Sequence, residues 1–254
     1  MSHCLNSASK QAAAWEALLG LDADVALLQE FVPPVGTQNV VYRQIGGARV
    51  WGSAVVGLTV DIEEVTHSKG RYNKGPVALH QTAAGVAVAK ATVGGVPITF
   101  VSMYGVIDDG YADTTIHRQL SDLVPLLDSV DLSKNLVLGG DLNITTQWIG
   151  KEAAYREWEQ ATFARISAFG LVDVMNLKRP DGPLEGCGCL DGDACRHIHT
   201  QRHGRSPRPW MNDYLFASKP LATLKRVRSA VVLDEPALHG LSGHMPLVVD
   251  FAFA

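Results

Sequence analysis

Two apolar stretches, residues 86–92 and 96–104, flank the pair Gly94-Gly95. Their valine, isoleucine, threonine and phenylalanine favour a pleated backbone, and a Gly-Gly pair suits the two-residue turn of a β-hairpin. Such a hairpin needs a sheet to belong to. Further apolar runs predict strands over residues 24–30, 50–58, 135–138, 171–174, 213–217, 227–233 and 246–253. Residues 8–19 are Ala-rich, with Trp15, Leu18 and Leu19 on one side, a serine at the start and Gly20 at the stop, and they predict a helix. Residues 114–128 carry Ile116, Leu120, Leu123 and Leu127 at helical spacing, with Pro125 as a break or kink. A third helix is predicted over 151–169. Many strands with few helices predict an α+β packing with sheets at its centre, read as one domain over residues 1–254.

The 254 residues are 46% hydrophobic and 19% charged, which excludes disorder, collagen and coiled coil as global descriptions. No apolar run reaches the roughly 20 residues that cross a bilayer. The opening MSHCLNSASK lacks the basic-then-apolar layout of a secretion signal, so the expected location is cytoplasmic. A net charge of −4 argues against bulk nucleic-acid binding and leaves only a local basic patch for that role.

Several polar residues share one placement, at or just past the end of an apolar run: Asn6, Glu30, Tyr104, Asp141, Asn143, Asp213 and His244. Strand ends gathered on one edge of a sheet make a rigid platform for a site. Four motifs follow in order at wide spacing: LLQE at 27–30, GGDLN at 139–143, NDYLFAS at 212–218 and LSGHMP at 241–246. The series resembles the endonuclease/exonuclease/phosphatase superfamily, the fold of deoxyribonuclease I, from about Leu5 to Phe253. That resemblance implies a four-layer α/β sandwich, two packed mixed β-sheets flanked by helices.

It also implies roles. Glu30 matches the main Mg²⁺ ligand, and Mn²⁺ is the alternative ion; Asn6 matches a position near that metal. Hard divalent cations take oxygen ligands and keep waters. Asp141 matches the carboxylate that orients or deprotonates the attacking water. Asn143 matches an amide that holds a phosphate oxygen, and an extended chain would put it on the same side as Asp141. Tyr104 matches a hydrogen-bonding partner of the scissile phosphate or leaving group. His244 matches the catalytic imidazole, and Asp213 the carboxylate that fixes its tautomer. Two positions depart from the pattern: Gly243 stands where the superfamily has aspartate, and Cys4 where it has asparagine.

Residues 176–209 form a long irregular stretch, rich in Gly, Pro, Cys and Arg, that reads as a loop insertion. Inside it, Cys187, Cys189, Cys195 and His197 could supply four ligands to one structural Zn²⁺, with His199 and His203 as rival ligands. Pinned in this way, the loop would project Arg196, Arg202, Arg205 and Arg208 near the active edge, where guanidinium groups suit phosphate. The expected activity is a divalent-metal-dependent phosphodiesterase acting on nucleic acid. The alternatives are a phosphatase on a small phosphorylated metabolite or lipid headgroup, and a relative that binds nucleic acid or protein without hydrolysis.

Overall fold

The computed structural model describes residues 8–46, 49–72, 75–79, 85–107, 112–148, 153–179, 182–202, 206 and 208–253. Asn6, Cys4, Arg205 and His203 lie outside them.

Helix α1 (Ala8–Leu19) leads into β1 (Val25–Phe31), and β2 (Val40–Gly46) and β3 (Arg49–Gly57) complete an antiparallel sheet of order β1-β3-β2. Strand β2 carries Tyr42, Arg43 and Gln44 in its middle, and this polar run hides it from a hydrophobicity reading. Three short strands follow: β4 (Ile62–Glu64), β5 (His67–Ser68) and β6 (Val77–Ala78). The hairpin is then β7 (Val86–Val93) and β8 (Val96–Met103), closed by Gly94 and Gly95 at φ 55° and 77°. Both central residues have positive φ, the conformation that matches the strand twist and that glycine adopts without strain.

The predicted 114–128 helix is two pieces, α2 (Asp113–Asp122) and α3 (Val124–Leu127). Pro125 stands in the first turn of α3, where its missing N–H breaks no bond within the helix. Strand β9 (Leu136–Asp141), helix α4 (Ala153–Ala168) and strand β10 (Leu171–Asp173) precede the irregular stretch, whose described residues hold short 3-10 turns at Met175–Leu177 and Gly192–Ala194. Beyond it come β11 (Asp213–Ser218), β12 (Val227–Val232), the short α5 (Pro236–His239) and β13 (Leu247–Phe251).

The central sheet is six-stranded, ordered β10-β11-β9-β8-β7-β4, and mixed because β8 and β9 run parallel. Both its faces are covered, so alternate residues of one strand enter different cores. Val86 and Val88 of β7 pack with Ile116, Leu120 and Leu126 of α2 and α3, while Ala87, Ala89 and Ala91 face Val41 and Val55 of the three-stranded sheet. The small alanines let the two sheets approach. On the far side, Leu18 of α1 packs on Ala26, Leu28 and Phe31. The order helix, sheet, sheet, helix is the four-layer sandwich expected, and the β12-β13 ribbon packs beside β11.

Candidate active site

The sheet topology gathers the site. Because β8 and β9 are parallel, their C-terminal ends coincide, bringing Tyr104 and Asp141 to one edge. Strand β11 is antiparallel to β9 in a register that sets Asp213 opposite Asp141. Backbones meet tightly here. A Cβ on Gly140, at φ 149°, would stand 2.0 Å from the carbonyl oxygen of Met103, and one on Gly105 would stand 1.9 Å from that of Leu142. Glycine at both positions lets the two strand ends close together.

Two directly opposed carboxylates repel each other, and His244 relieves the repulsion. Its Nδ1 lies 2.8 Å from Asp213 Oδ2 and its Nε2 3.9 Å from Asp141 Oδ2. All three side chains are buried. Burial alone would lower the His244 pKa, but the Asp213 charge and hydrogen bond, helped by Asp141, raise it above the usual value. Burial alone would raise Asp213, and His244 outweighs that and holds it below the ordinary carboxylate range. Asp141 shows the reverse balance: burial pushes it up to about 7, with Asp213 adding and His244 opposing. Its Oδ1 accepts the Asn143 N–H at 3.0 Å, while Oδ2 has no hydrogen-bond partner among the described residues.

Glu30 reaches the same edge through a β-bulge. The β1–β3 register shifts between Leu28 and Phe31, and Glu30 itself sits at φ 49°. An extra residue of this kind bends a strand and re-aims a side chain. Here it turns the carboxylate to accept the Tyr104 hydroxyl at 2.7 Å. Burial, then Glu30, pushes the Tyr104 pKa far above its ordinary value, so the phenol stays a neutral donor.

Asn143 corrects the sequence reading. The strand ends at Asp141, and Asn143 takes φ 51°, so no extended chain carries it to the side of Asp141. A turn does so instead: its N–H folds back on Asp141 Oδ1, and its side-chain amide donates to Gly105 O at 3.0 Å. Asparagine tolerates this left-handed conformation better than most residues.

Sequence reasoning missed Thr200 and Gln201. Gln201 Nε2 lies 2.8 Å from His244 Nε2, while its Oε1 accepts Asn212 Nδ2 at 2.7 Å. Thr200 Oγ1 accepts the backbone N–H groups of Asn212 and Asp213, both at 3.1 Å. The segment lies beside the histidine as an added strip, with Met245 N–H on Thr200 O and Arg202 N–H on Gly243 O. Nothing in the local sequence marks it, since the pairing joins residues more than forty apart.

Of the four arginines, Arg202 pairs with Asp234 at 2.7 Å, Arg208 stacks on Trp210 at 4.1 Å, Arg196 is exposed, and Arg205 is not among the described residues. Cys187, Cys189, Cys195 and His197 do converge, with ligand atoms within 4.8 Å of one another; His199 is not in the group, and His203 lies outside the described residues.

A family model described as the Endonuclease/Exonuclease/phosphatase family matches residues 5–234. The chain belongs to this family. No curated protein matches the sequence. Among solved structures, an AP endonuclease from Leishmania major is similar at 15% identity and TM-score 0.64, over 99% of this chain and 84% of that one. The catalytic domain of Xenopus laevis APE2 is similar at 13% and 0.62, over 97% and 89%. The human Nocturnin catalytic domain is similar at 18% and 0.57, over 98% and 88%. At such identities the likeness establishes the fold.

Family members of this fold imply a divalent cation, and the oxygens present fit one. Glu30 is buried on the bulge, and the Asp141 Oδ2 is buried without a hydrogen-bond partner. Glu30 Oε1 accepts the Tyr104 hydroxyl, and Tyr104 and Asp141 stand at adjoining strand ends, so both carboxylates lie at one edge of the sheet. Oxygen donors of this kind suit Mg²⁺ or Mn²⁺. Asp141, Asp213 and His244 form a second conceivable ligand group, but there the Asp213 Oδ2 is already taken by His244. Among the described residues, no helix is long and apolar enough to cross a membrane.

Proposed function

We propose that this member of the endonuclease/exonuclease/phosphatase family is a divalent-metal-dependent phosphodiesterase acting on nucleic acid. The observation that carries the reading is the buried array in which His244 stands between Asp213 at 2.8 Å and Asp141 at 3.9 Å. Burying two carboxylates and an imidazole is costly unless they are paired, and Asp141 Oδ2 makes no hydrogen bond among the described residues, with His244 Nε2 3.9 Å away.

In this reading Glu30 and, by the family pattern, Asn6 hold Mg²⁺ or Mn²⁺, and the metal when bound would polarise a phosphoryl oxygen and offset charge on the leaving group. Asp141, pushed up to about 7, is poised to hold a water and accept its proton near neutral pH. Asp213 fixes the His244 tautomer with the proton on Nδ1. Nε2 then lies between Gln201 Nε2 at 2.8 Å and Asp141 Oδ2 at 3.9 Å, and a proton gained there, which the raised His244 pKa favours, turns it from acceptor of the Gln201 amide into a donor that offsets negative charge growing on the phosphoryl oxygens. Asn143, with a second amide hydrogen beside the one given to Gly105, donates to the phosphate, and Tyr104 donates to the phosphate or leaving group on giving up its bond to Glu30.

A phosphatase acting on a small phosphate ester is the second reading. It is favoured by the engagement of Arg202 and Arg208 within the protein, which leaves a weaker polyanion track than the sequence suggests. Turnover of bis-p-nitrophenyl phosphate and p-nitrophenyl phosphate, each with Mg²⁺, Mn²⁺ or EDTA, tests the choice. Metal-dependent preference for the diester is the expected result. Preference for the monoester favours the phosphatase, and no metal-dependent turnover of either leaves a binding protein.

A further inference from the structure

The irregular stretch between β10 and β11 carries a side-chain cluster that the hydrolytic site does not use. Cys187 and Cys195 are buried at 1% and 0%, and their Sγ atoms stand 3.7 Å apart. His197 Nδ1 lies 3.6 Å from Cys187 Sγ and 3.5 Å from Cys195 Sγ. Cys189 completes a group of four. A tetrahedral zinc with Zn–S of about 2.3 Å and Zn–N of about 2.0 Å has edges of about 3.8 Å between sulfurs and about 3.5 Å between sulfur and nitrogen. The measured separations are those edges. A disulfide instead needs sulfurs at about 2.05 Å.

The surroundings suit a metal as well. His197 turns its other nitrogen, Nε2, to Thr146 Oγ1 at 2.6 Å, which fixes the ring with Nδ1 facing the sulfurs. Gln147 Nε2 approaches Cys187 Sγ at 3.5 Å, the contact expected of an amide facing a thiolate. Three thiolates, one Zn²⁺ and the carboxylate of Asp191, whose Oδ2 lies 3.8 Å from His197 Nδ1, carry a net charge of −2. Two nearby cations offset it: Arg156 of α4, paired with Asp191, and Arg179, whose Nη1 donates to Cys195 O at 2.7 Å. Thr146 and Gln147 come three and four residues past Asn143, so the cluster is bonded to the chain that carries Asp141 and Asn143. Three and four residues past His197 come Thr200 and Gln201, which hold Asp213 and His244.

We propose that Cys187, Cys189, Cys195 and His197 Nδ1 hold one Zn²⁺ in a closed structural site, which pins the stretch 182–202 and so keeps Thr200 and Gln201 against the Asp213–His244 pair. Four protein ligands leave no open position for substrate, so the site is structural and not hydrolytic. Residues 182–199 hold only the 3-10 turn Gly192–Ala194 as regular structure, and the metal supplies the closure that a β-ladder supplies elsewhere.

The test needs no substrate. Full-length protein purified without chelator is analysed for metal, then stripped and reloaded with Co²⁺. The expected results are about one zinc per chain and, with cobalt, a thiolate-to-metal charge-transfer band alongside the visible bands of a tetrahedral ion. His197→Gln and Cys189→Ser lose the zinc, while His199→Gln keeps it. Trypsin then reads the pinning. Cleavage after Arg196 and Arg202 accelerates about ten-fold or more on zinc removal, because local opening of the stretch becomes easier. Protein without zinc and without a cobalt charge-transfer band, or a Cys187–Cys195 disulfide found by mass mapping, overturns the site. Zinc retained in His197→Gln and lost in His199→Gln overturns the ligand set. Equal trypsin rates with and without zinc overturn the pinning.

Discussion

Replacing Asp213 by asparagine removes one charge from the buried array while keeping its shape and an acceptor oxygen facing His244 Nδ1. The hydrogen bond is 2.8 Å long, between side chains of residues 8% and 3% exposed, so water screens it little. A charge-assisted hydrogen bond contributes about 1.5–3 kcal/mol and a neutral one about 0.5–1.5. The difference, about 1–1.5 kcal/mol, corresponds to a Tm loss of about 2–6 °C for a chain of this size. Relief of the Asp213–Asp141 repulsion brings the loss toward the lower end.

The pH dependence carries the sign. The His244 pKa is raised in the folded protein, so its stabilisation is fully present below its ordinary value of 6.5 and lost as pH rises through the raised value. The Asp213 pKa is depressed, so its stabilisation is present above 3.8 and lost as pH falls below it. The gap in Tm between wild type and Asp213→Asn is therefore widest at about pH 5–6 and narrows on the alkaline side. NMR titration of the His244 ring gives a lower pKa in the variant, and turnover falls by about 10²–10⁴-fold as the tautomer and the cationic form are lost. A Tm gap independent of pH, or an unmoved His244 titration, would show that Asp213 is not the group that raises the histidine.

Three further outcomes are expected. Glu30→Gln keeps the Tyr104 bond and the fold but loses nearly all metal-dependent hydrolysis, and wild-type turnover at limiting Mg²⁺ would remove Glu30 from the metal. Gly243→Asp tightens the apparent metal affinity and raises activity at low Mg²⁺. Position 243 has room for the new side chain, since the nearest atom to a Cβ there is Arg202 O at 3.8 Å, so an unchanged Tm with an unchanged metal dependence would place 243 away from the metal. Glu159, which accepts Thr145 N–H and Trp148 Nε1, is pushed up to about 8, first of all by burial. A carboxyl raised in this way contributes fully below its ordinary value of 4.5 and loses that contribution progressively as pH rises from there to about 8. Glu159→Gln removes this loss, which thermal melts compared at the two ends of that range would measure.

The sequence alone determined the longer apolar elements and most of the candidate chemical groups. Strong local signals carry that information: the apolar runs of β1, β7, β8, β9 and β11, the Gly94-Gly95 turn, Pro125 in the first turn of α3, and the order of Glu30, Asp141, Asp213 and His244. The four zinc-ligand candidates were equally legible, because they crowd into eleven residues, 187–197. Strand β2 was not, because its polar middle breaks the apolar pattern on which the reading depends.

Tertiary structure decided the geometry. The Asp213–Asp141 register comes from the pairing of β11 with β9, strands separated by more than seventy residues, and no local propensity encodes it. The bulge that aims Glu30 and the left-handed turn at Asn143 are backbone exceptions, held by their partners Tyr104, Asp141 and Gly105. Gln201 lies on His244 only because the chain returns from the cysteine cluster to lie along 243–245. Each of these is a long-range contact whose energy appears only when distant segments meet. The sequence could therefore name the candidate acids, the histidine and the cysteines, while folding alone brought in Thr200 and Gln201 and set which oxygen faces which nitrogen.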